Sequence, residues 1–202
     1  MTLGLGIGAN TAIFSVVDAI MLRPLGYEQA EQRVEVVRTD DRSAEKFSQL
    51  SFPNYRELRE RSRAFARISA FRYWLFNLSD TDHPQSLLGV YVGDSMFSAL
   101  RVRPAIGRLF GPGVENPSYP HEAVLSYGLW QRRFGGDRAV IGTTAIIDGQ
   151  PVTVVGVLPN GFRFPDLVPT SAPLPARAPD LFLPLANNPV AGLDQWATTI
   201  TG

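Results

Sequence analysis

Residues 123–157, AVLSYGLWQRRFGGDRAVIGTTAIIDGQPVTVVGV, read as a strand, a helix and a hairpin in unbroken succession. AVLS at 123–126 is a short β-prone run. YGLWQRRF at 127–134 comes next as a helix, closed by Gly135-Gly136 because glycine takes the left-handed C-cap conformation without strain. Trp130 and Phe134 stand four residues apart, so they share a helix face and both can bury against the hairpin. Residues 143–147 and 152–157 flank Asp148-Gly149-Gln150. Asp-Gly favours the left-handed turn that a tight hairpin demands.

Working outward, residues 162–165 and 181–184 predict short extended pieces around a proline-rich loop at 165–179. Upstream, ISAFRYWLFNLS and SLLGVYV predict two strands joined by a turn at 79–84. Gly93-Asp94-Ser95 caps a short helix through Leu100, with Arg101 at its end to complement the carbonyl dipoles. Residues 102–110 are irregular, since Pro104 and Gly107 break any period. Ser51-Phe52-Pro53-Asn54 announces another helix, with Ser51 as N-cap and Tyr55, Leu58 and Ser62 at helical spacing, running to about Ala64. RVEVVR at 33–38 reads as a short strand. The sum is an α+β domain of short helices and mostly antiparallel strands.

The first residues differ in kind. LGLGIGANTAIFSVVDAIML, residues 3–22, contains one acid, Asp18, and no basic residue. About 20 apolar residues suffice to cross a bilayer as a helix. Pro24 then ends or kinks that helix, giving a transmembrane or stalk segment at 1–25 and a domain at 26–202. On a helix, Gly4, Gly8, Ala12, Ser15 and Ala19 gather on one arc, a small-residue stripe that lets another helix approach closely. Asp18 borders that stripe, where it either reaches headgroup water or pairs with a neighbouring helix as a partner contact. Three other readings compete. A secretory signal needs a basic start and a small-residue cleavage site, and neither is present. Gly4-x-Gly6-x-x-Ala9 fits a dinucleotide fingerprint, but no strand precedes it. A buried core helix remains open.

Nineteen basic and nineteen acidic residues leave no net charge, and 45% hydrophobic content supports a sizeable core. Nucleic-acid binding would call for a basic excess. The one arginine cluster, Arg56, Arg59, Arg61, Arg63 and Arg67, is interleaved with Glu57 and Glu60 and reads as a solvated helix face. With no cysteine there is no disulfide, thiolate metal site or cysteine nucleophile. His83 and His121 lie far apart in loops, and neither has metal or triad spacing. No P-loop or G-x-S-x-G sequence occurs. These readings name no catalytic, cofactor or metal residue, although carboxylates distant in sequence leave an envelope hydrolase open. A plain ligand- or partner-binding module is also open. Trp130 is either a core residue or a partner contact.

Five segments in a fixed order add a family reading: GIGANTAIFS at 6–15, LRPL at 22–25, PxxGRxF at 104–110, LSYxxWxxRFGG at 125–136 and VGVxP at 155–159. Together they resemble the MacB-like periplasmic core domain of bacterial ABC transporter permeases with FtsX-like membrane helices. The resemblance implies a non-catalytic α+β domain facing the periplasm, mounted on the first helix of an inner-membrane permease. It further implies mechanotransmission, in which a cytoplasmic ABC ATPase subunit or domain drives helix motions that reshape the periplasmic part for export, efflux or signalling. Implied partners are the ATPase, a second copy in a homodimer, a periplasmic adaptor and the membrane, with no cofactor and no nucleic acid. Measured against the family, the chain is expected to begin partway into the first helix and to stop before the rest of the domain and three later helices.

Overall fold

In the computed structural model the described residues are 34–36, 52–63, 65, 67–79, 84–164, 178–188 and 198–201. In chain order they form β1 (Val34–Val36), α1 (Phe52–Arg61), β2 (Ile68–Leu78), β3 (Gln85–Val92), α2 (Met96–Ala99), β4 (Ile106–Gly107), β5 (Glu122–Leu125) and α3 (Tyr127–Phe134). A 3-10 turn at Arg138–Val140, β6 (Thr144–Ile147), β7 (Gln150–Val157), β8 (Leu181–Pro184), a second 3-10 turn at Leu185–Asn187 and β9 (Thr198–Thr201) complete them. Among the described residues no helix is long and apolar enough to cross a membrane. The membrane segment expected at 1–25 lies outside the described residues, as does the expected cap Ser51.

The hairpin forms where Asp148-Gly149 predicts it. Both residues take positive φ, 48° and 77°, and Thr144–Ile147 pairs antiparallel with Gln150–Thr153. The preceding helix is equally local in origin: the Ser126 hydroxyl oxygen accepts the Leu129 N–H at 3.0 Å, and Gly135 closes α3 at φ 60°. An accepting N-cap and a left-handed C-cap satisfy backbone groups that the helix itself leaves unpaired.

All nine described strands join one sheet in the order β1-β9-β2-β3-β8-β5-β7-β4, and β6 bridges β7 to β2. Strands β2, β3, β8, β5, β7 and β6 therefore close into a ring. Closure is narrow: Leu78 faces Ile147, the Ser79 N–H donates to the Ile146 carbonyl at 2.9 Å, and the Asn77 N–H donates to Asp148 Oδ1 at 2.9 Å. Within this sheet β3 with β8 and β5 with β7 run parallel; the remaining pairings are antiparallel, as expected.

Alternation along the strands then separates two cores. Phe76, Leu87, Ala123, Ile147, Val154 and Leu181, drawn from all six ring strands, pack together with Tyr55 of α1 and with Leu129 and Trp130 of α3. The opposite face carries Phe71, Val90, Val124, Val155 and Phe182, covered by α2 and by Phe164.

Four details depart from the sequence expectations. Helix α1 ends at Arg61, short of the expected end at about Ala64. Residues 162–164 form no strand; Phe164 instead inserts its ring into the outer core. Within the irregular stretch 102–110, β4 pairs Ile106 and Gly107 with Val157 and Gly156. Ser95 sits at the N-cap of α2 but its side chain makes no capping bond.

Candidate functional site

Three chain segments converge beside the start of α3. Strand β5 delivers Ser126, Tyr127 and Gly128; β7 runs out through Leu158, Pro159 and Asn160 to a left-handed Gly161 at φ 78°; and Pro179-Asp180 leads into β8. Between them lies a cleft of ≈ 480 Å³, with Gln85 at its edge. Its volume falls in the range of small-molecule and peptide-side-chain sites.

The floor is aromatic. Phe164 meets Phe182 at 5.6 Å and Phe71 at 5.3 Å between ring centres, and Phe162 meets Phe182 at 6.2 Å. Offset and edge-on contacts of this kind hold rings in fixed orientations.

One ion pair borders the cleft. Arg132 Nη2 donates to Asp180 Oδ1 at 2.7 Å, with the carboxylate side chain 7% exposed and the guanidinium 59% exposed. The Asp180 backbone is held as well, its C=O accepting from the Ser126 N–H at 2.9 Å and its N–H donating to the Leu88 carbonyl at 2.7 Å. Asp180 is thus fixed as a structural counter-ion between β3, β8 and α3. Its partner guanidinium keeps further donors toward solvent. An aromatic floor with a half-exposed guanidinium suits binding of an amphipathic group bearing an acceptor.

Among the cleft's described polar groups, the Ser126 hydroxyl accepts the Leu129 N–H at 3.0 Å and the Asp180 carboxylate is paired with Arg132. Among the described residues no group of three His, Cys, Asp or Glu could hold a metal ion. His121 is exposed, and its backbone C=O accepts from the Thr153 N–H; His83 lies outside the described residues.

A second polar constellation ties α1 to the body. Tyr55 is fully buried, and its hydroxyl donates to Glu115 Oε1 at 2.7 Å. Arg59 Nη1 donates to Glu115 Oε2 at 2.7 Å and lies 3.8 Å from Asp94 Oδ2. The loop closes on itself: the Asp94 N–H donates to Glu115 Oε1 at 3.2 Å, and Asp94 Oδ1 accepts from the Gly113 N–H at 3.0 Å. Burial, with the Glu115 charge adding to it, pushes the Tyr55 phenol well above its ordinary value. Arg59 therefore corrects the expectation of a purely solvated arginine face. Arg56 and Arg61 fit it, pairing with Glu60 at 3.8 Å and Glu57 at 2.7 Å along exposed helix surface.

Of the residues singled out in the sequence, Gly4, Gly8, Ala12, Ser15, Asp18 and Ala19 lie outside the described residues. Trp130 is 7% exposed; its indole N–H donates to the Asp137 carbonyl at 2.8 Å, and Tyr127 packs edge-on to it at 5.3 Å. Its ring is committed to the core, and α3 turns Gln131 and Arg132 to solvent instead. Glu115 and Asp180 carry no mark in the sequence, and Asp94 is marked only as part of the Gly93-Asp94-Ser95 helix start. No local signal sets them apart, since their partners are 21 to 60 residues away.

Comparison with known proteins gives this arrangement its context. The periplasmic region of MacB from Actinobacillus actinomycetemcomitans superposes with a TM-score of 0.64 at 14% identity, covering 84% of this chain and 73% of that one. The extracellular domain of YknZ, a noncanonic ABC-type transporter from Gram-positive bacteria, gives 0.61 at 12% identity, covering 84% and 82%. A domain of a protein described as a permease from Porphyromonas gingivalis gives 0.59 at 16% identity, covering 87% and 76%. At these identities the likeness is one of fold. No curated protein gives a significant sequence match. The sequence profile of the MacB-like periplasmic core domain, however, matches residues 1–200, and the chain belongs to that family.

Proposed function

We propose that this chain is the periplasm-facing part of a bacterial inner-membrane ABC transporter permease. In this reading residues 1–25 are a transmembrane or stalk helix and residues 26–202 are the periplasmic core domain. Its work is mechanical: a partner ATPase hydrolyses ATP in the cytoplasm, and the domain, held in a homodimer, converts the resulting helix motions into export or envelope signalling. The small-residue stripe Gly4, Gly8, Ala12, Ser15 and Ala19 packs against neighbouring helices, with Asp18 at its border. No step of chemistry is assigned to the domain.

The observation that carries this reading is the span of the family match, which runs over residues 1–200 and so takes in the apolar stretch together with the domain. The folded part supports it, because the carboxylates of Glu115, Glu122 and Asp180 are each held by an arginine of the same domain.

The chain has no cysteine, which makes the test simple. Ser118 is exposed, and a Ser118→Cys variant expressed with its ATPase subunit should sediment with membranes, bring the ATPase down with it, and react with a membrane-impermeant maleimide before cell lysis. Reaction only after lysis, or recovery without membranes or ATPase, contradicts the proposal.

A further inference from the structure

Helix α1 is docked through few side chains, and two of them meet at one carboxylate. Of its ten residues Tyr55 alone is buried; Phe52 and Leu58 pack against the inner core while only partly buried. The Tyr55 phenol and the Arg59 guanidinium each donate to Glu115 at 2.7 Å. Arg59 also stands over the Tyr55 ring, 5.5 Å from its centre, so the two donors pack on each other as well as on their shared acceptor. A helix of ten residues does not persist in water on its own. Undocking therefore unwinds it.

The acceptor belongs to the body and is held there by bonds that α1 does not make. Glu115 lies in the stretch 108–122, whose ends are joined by the Arg108–Glu122 ion pair. Inside that stretch the Gly111 N–H donates to the Tyr119 hydroxyl at 3.1 Å, and the C=O of buried Val114 accepts from the Ala186 N–H at 2.9 Å. The Asp94 N–H donates to Glu115 Oε1, and Asp94 Oδ1 accepts from the Gly113 N–H. Gly93 leaves the carboxylate its room, since a Cβ there would stand 2.5 Å from Oε1. Release of α1 thus breaks two charge-assisted bonds and exposes one phenol, while the Glu115 side of the contact keeps its own bonds. An element with so little buried apolar surface opens at a lower free energy than the whole fold.

We propose that α1 is a detachable arm: it leaves the body and unwinds as one unit while the sheet stays folded, and the Glu115 carboxylate is the latch that sets how often it does so. Departure removes Arg59 from both Glu115 and Asp94, which it contacts when docked, and uncovers the two carboxylates together. The arm is a property of the chain itself and stands apart from the transport reading.

The test is amide hydrogen exchange of the full 202-residue chain in detergent, repeated at rising urea below the unfolding transition. Amides of residues 57–62 should share one protection factor, at least ~100-fold below that of the β3 and β7 amides, and theirs should fall less steeply with urea. Glu115→Ala should lower protection in α1 by at least ~30-fold. If that variant does not fold, Glu115→Gln should lower it by ~10-fold, because a neutral acceptor holds Arg59 less tightly. Arg56→Ala, which breaks the exposed pair with Glu60 on the same helix, should change it by less than ~3-fold. Protection in α1 equal to that of β3 and β7 with the same urea slope would overturn the proposal, since the helix would then leave only with the whole fold. So would protection that declines residue by residue toward one helix end, which is fraying. Unchanged α1 protection in the Glu115 variant, or an equal loss in Arg56→Ala, would refute the latch.

Discussion

Tyr55 and Glu115 lie 60 residues apart in sequence and 2.7 Å apart in space. Removing the carboxylate strands a buried phenol and a partly buried guanidinium together. Glu115→Ala is therefore expected to cost about 2–4 kcal/mol in urea unfolding, and Glu115→Gln less, because an amide oxygen still accepts from the phenol. A second residue-scale effect concerns pH. Burial raises the Tyr55 and Tyr91 phenols above their ordinary value of 10.0, so the folded chain keeps protons that the unfolded chain releases. The stability these phenols permit is intact below that value and erodes as pH climbs past it. Tyr91→Phe removes one such loss. Its urea midpoint should fall less than the parent's between about pH 9 and about pH 11; an identical fall would show that Tyr91 does not stay protonated in the fold.

Among the elements, local chemistry explains the parts that the sequence announces. Asp148-Gly149 carries its turn in two residues, and Ser126 with Gly135 brackets α3, so hairpin and helix can be read without knowing their neighbours. Gly149→Ala places a side chain at φ 77°, and the expected loss is about 1 kcal/mol in thermal or urea unfolding. Strand β4 is a different case. Nothing in residues 102–110 predicts it, because it exists only where β7 offers Gly156. A Cβ there would sit 1.9 Å from the Arg108 carbonyl oxygen. Gly156→Ala must therefore push β4 off β7, with an expected cost of about 2–3 kcal/mol and loss of amide protection at Arg108, whose N–H donates to the Val155 carbonyl at 2.8 Å. Wild-type protection in that variant would refute the close approach. Helix α1 shows the same limit from the other side. Its start is written in Pro53 and Tyr55, but Arg59 leaves the solvated face because Asp94 and Glu115 come to meet it.

For the molecule as a whole, the strand pattern implies a mixed α+β domain, and the closure of six strands through Leu78 and Ile147 makes it one body with an inner and an outer core. Ring closure has no local signature, since β2 and β6 are joined across more than sixty residues by a single ladder position. The cleft beside Asp180 is hidden from the sequence for the same reason: its walls come from three distant segments. Family membership is legible, because five short motifs keep their order along the chain. The proposed function makes the domain work through motion imposed at the membrane. That motion is measurable in the reconstituted permease with its ATPase, carrying a spin label at Ala139→Cys, an exposed position. The distance between the labels of the two copies is recorded without nucleotide and in an ATP-trapped state. Two different distance distributions are expected, with the change abolished in an ATPase that neither binds nor hydrolyses ATP. The same distribution in both states would refute the mechanical role.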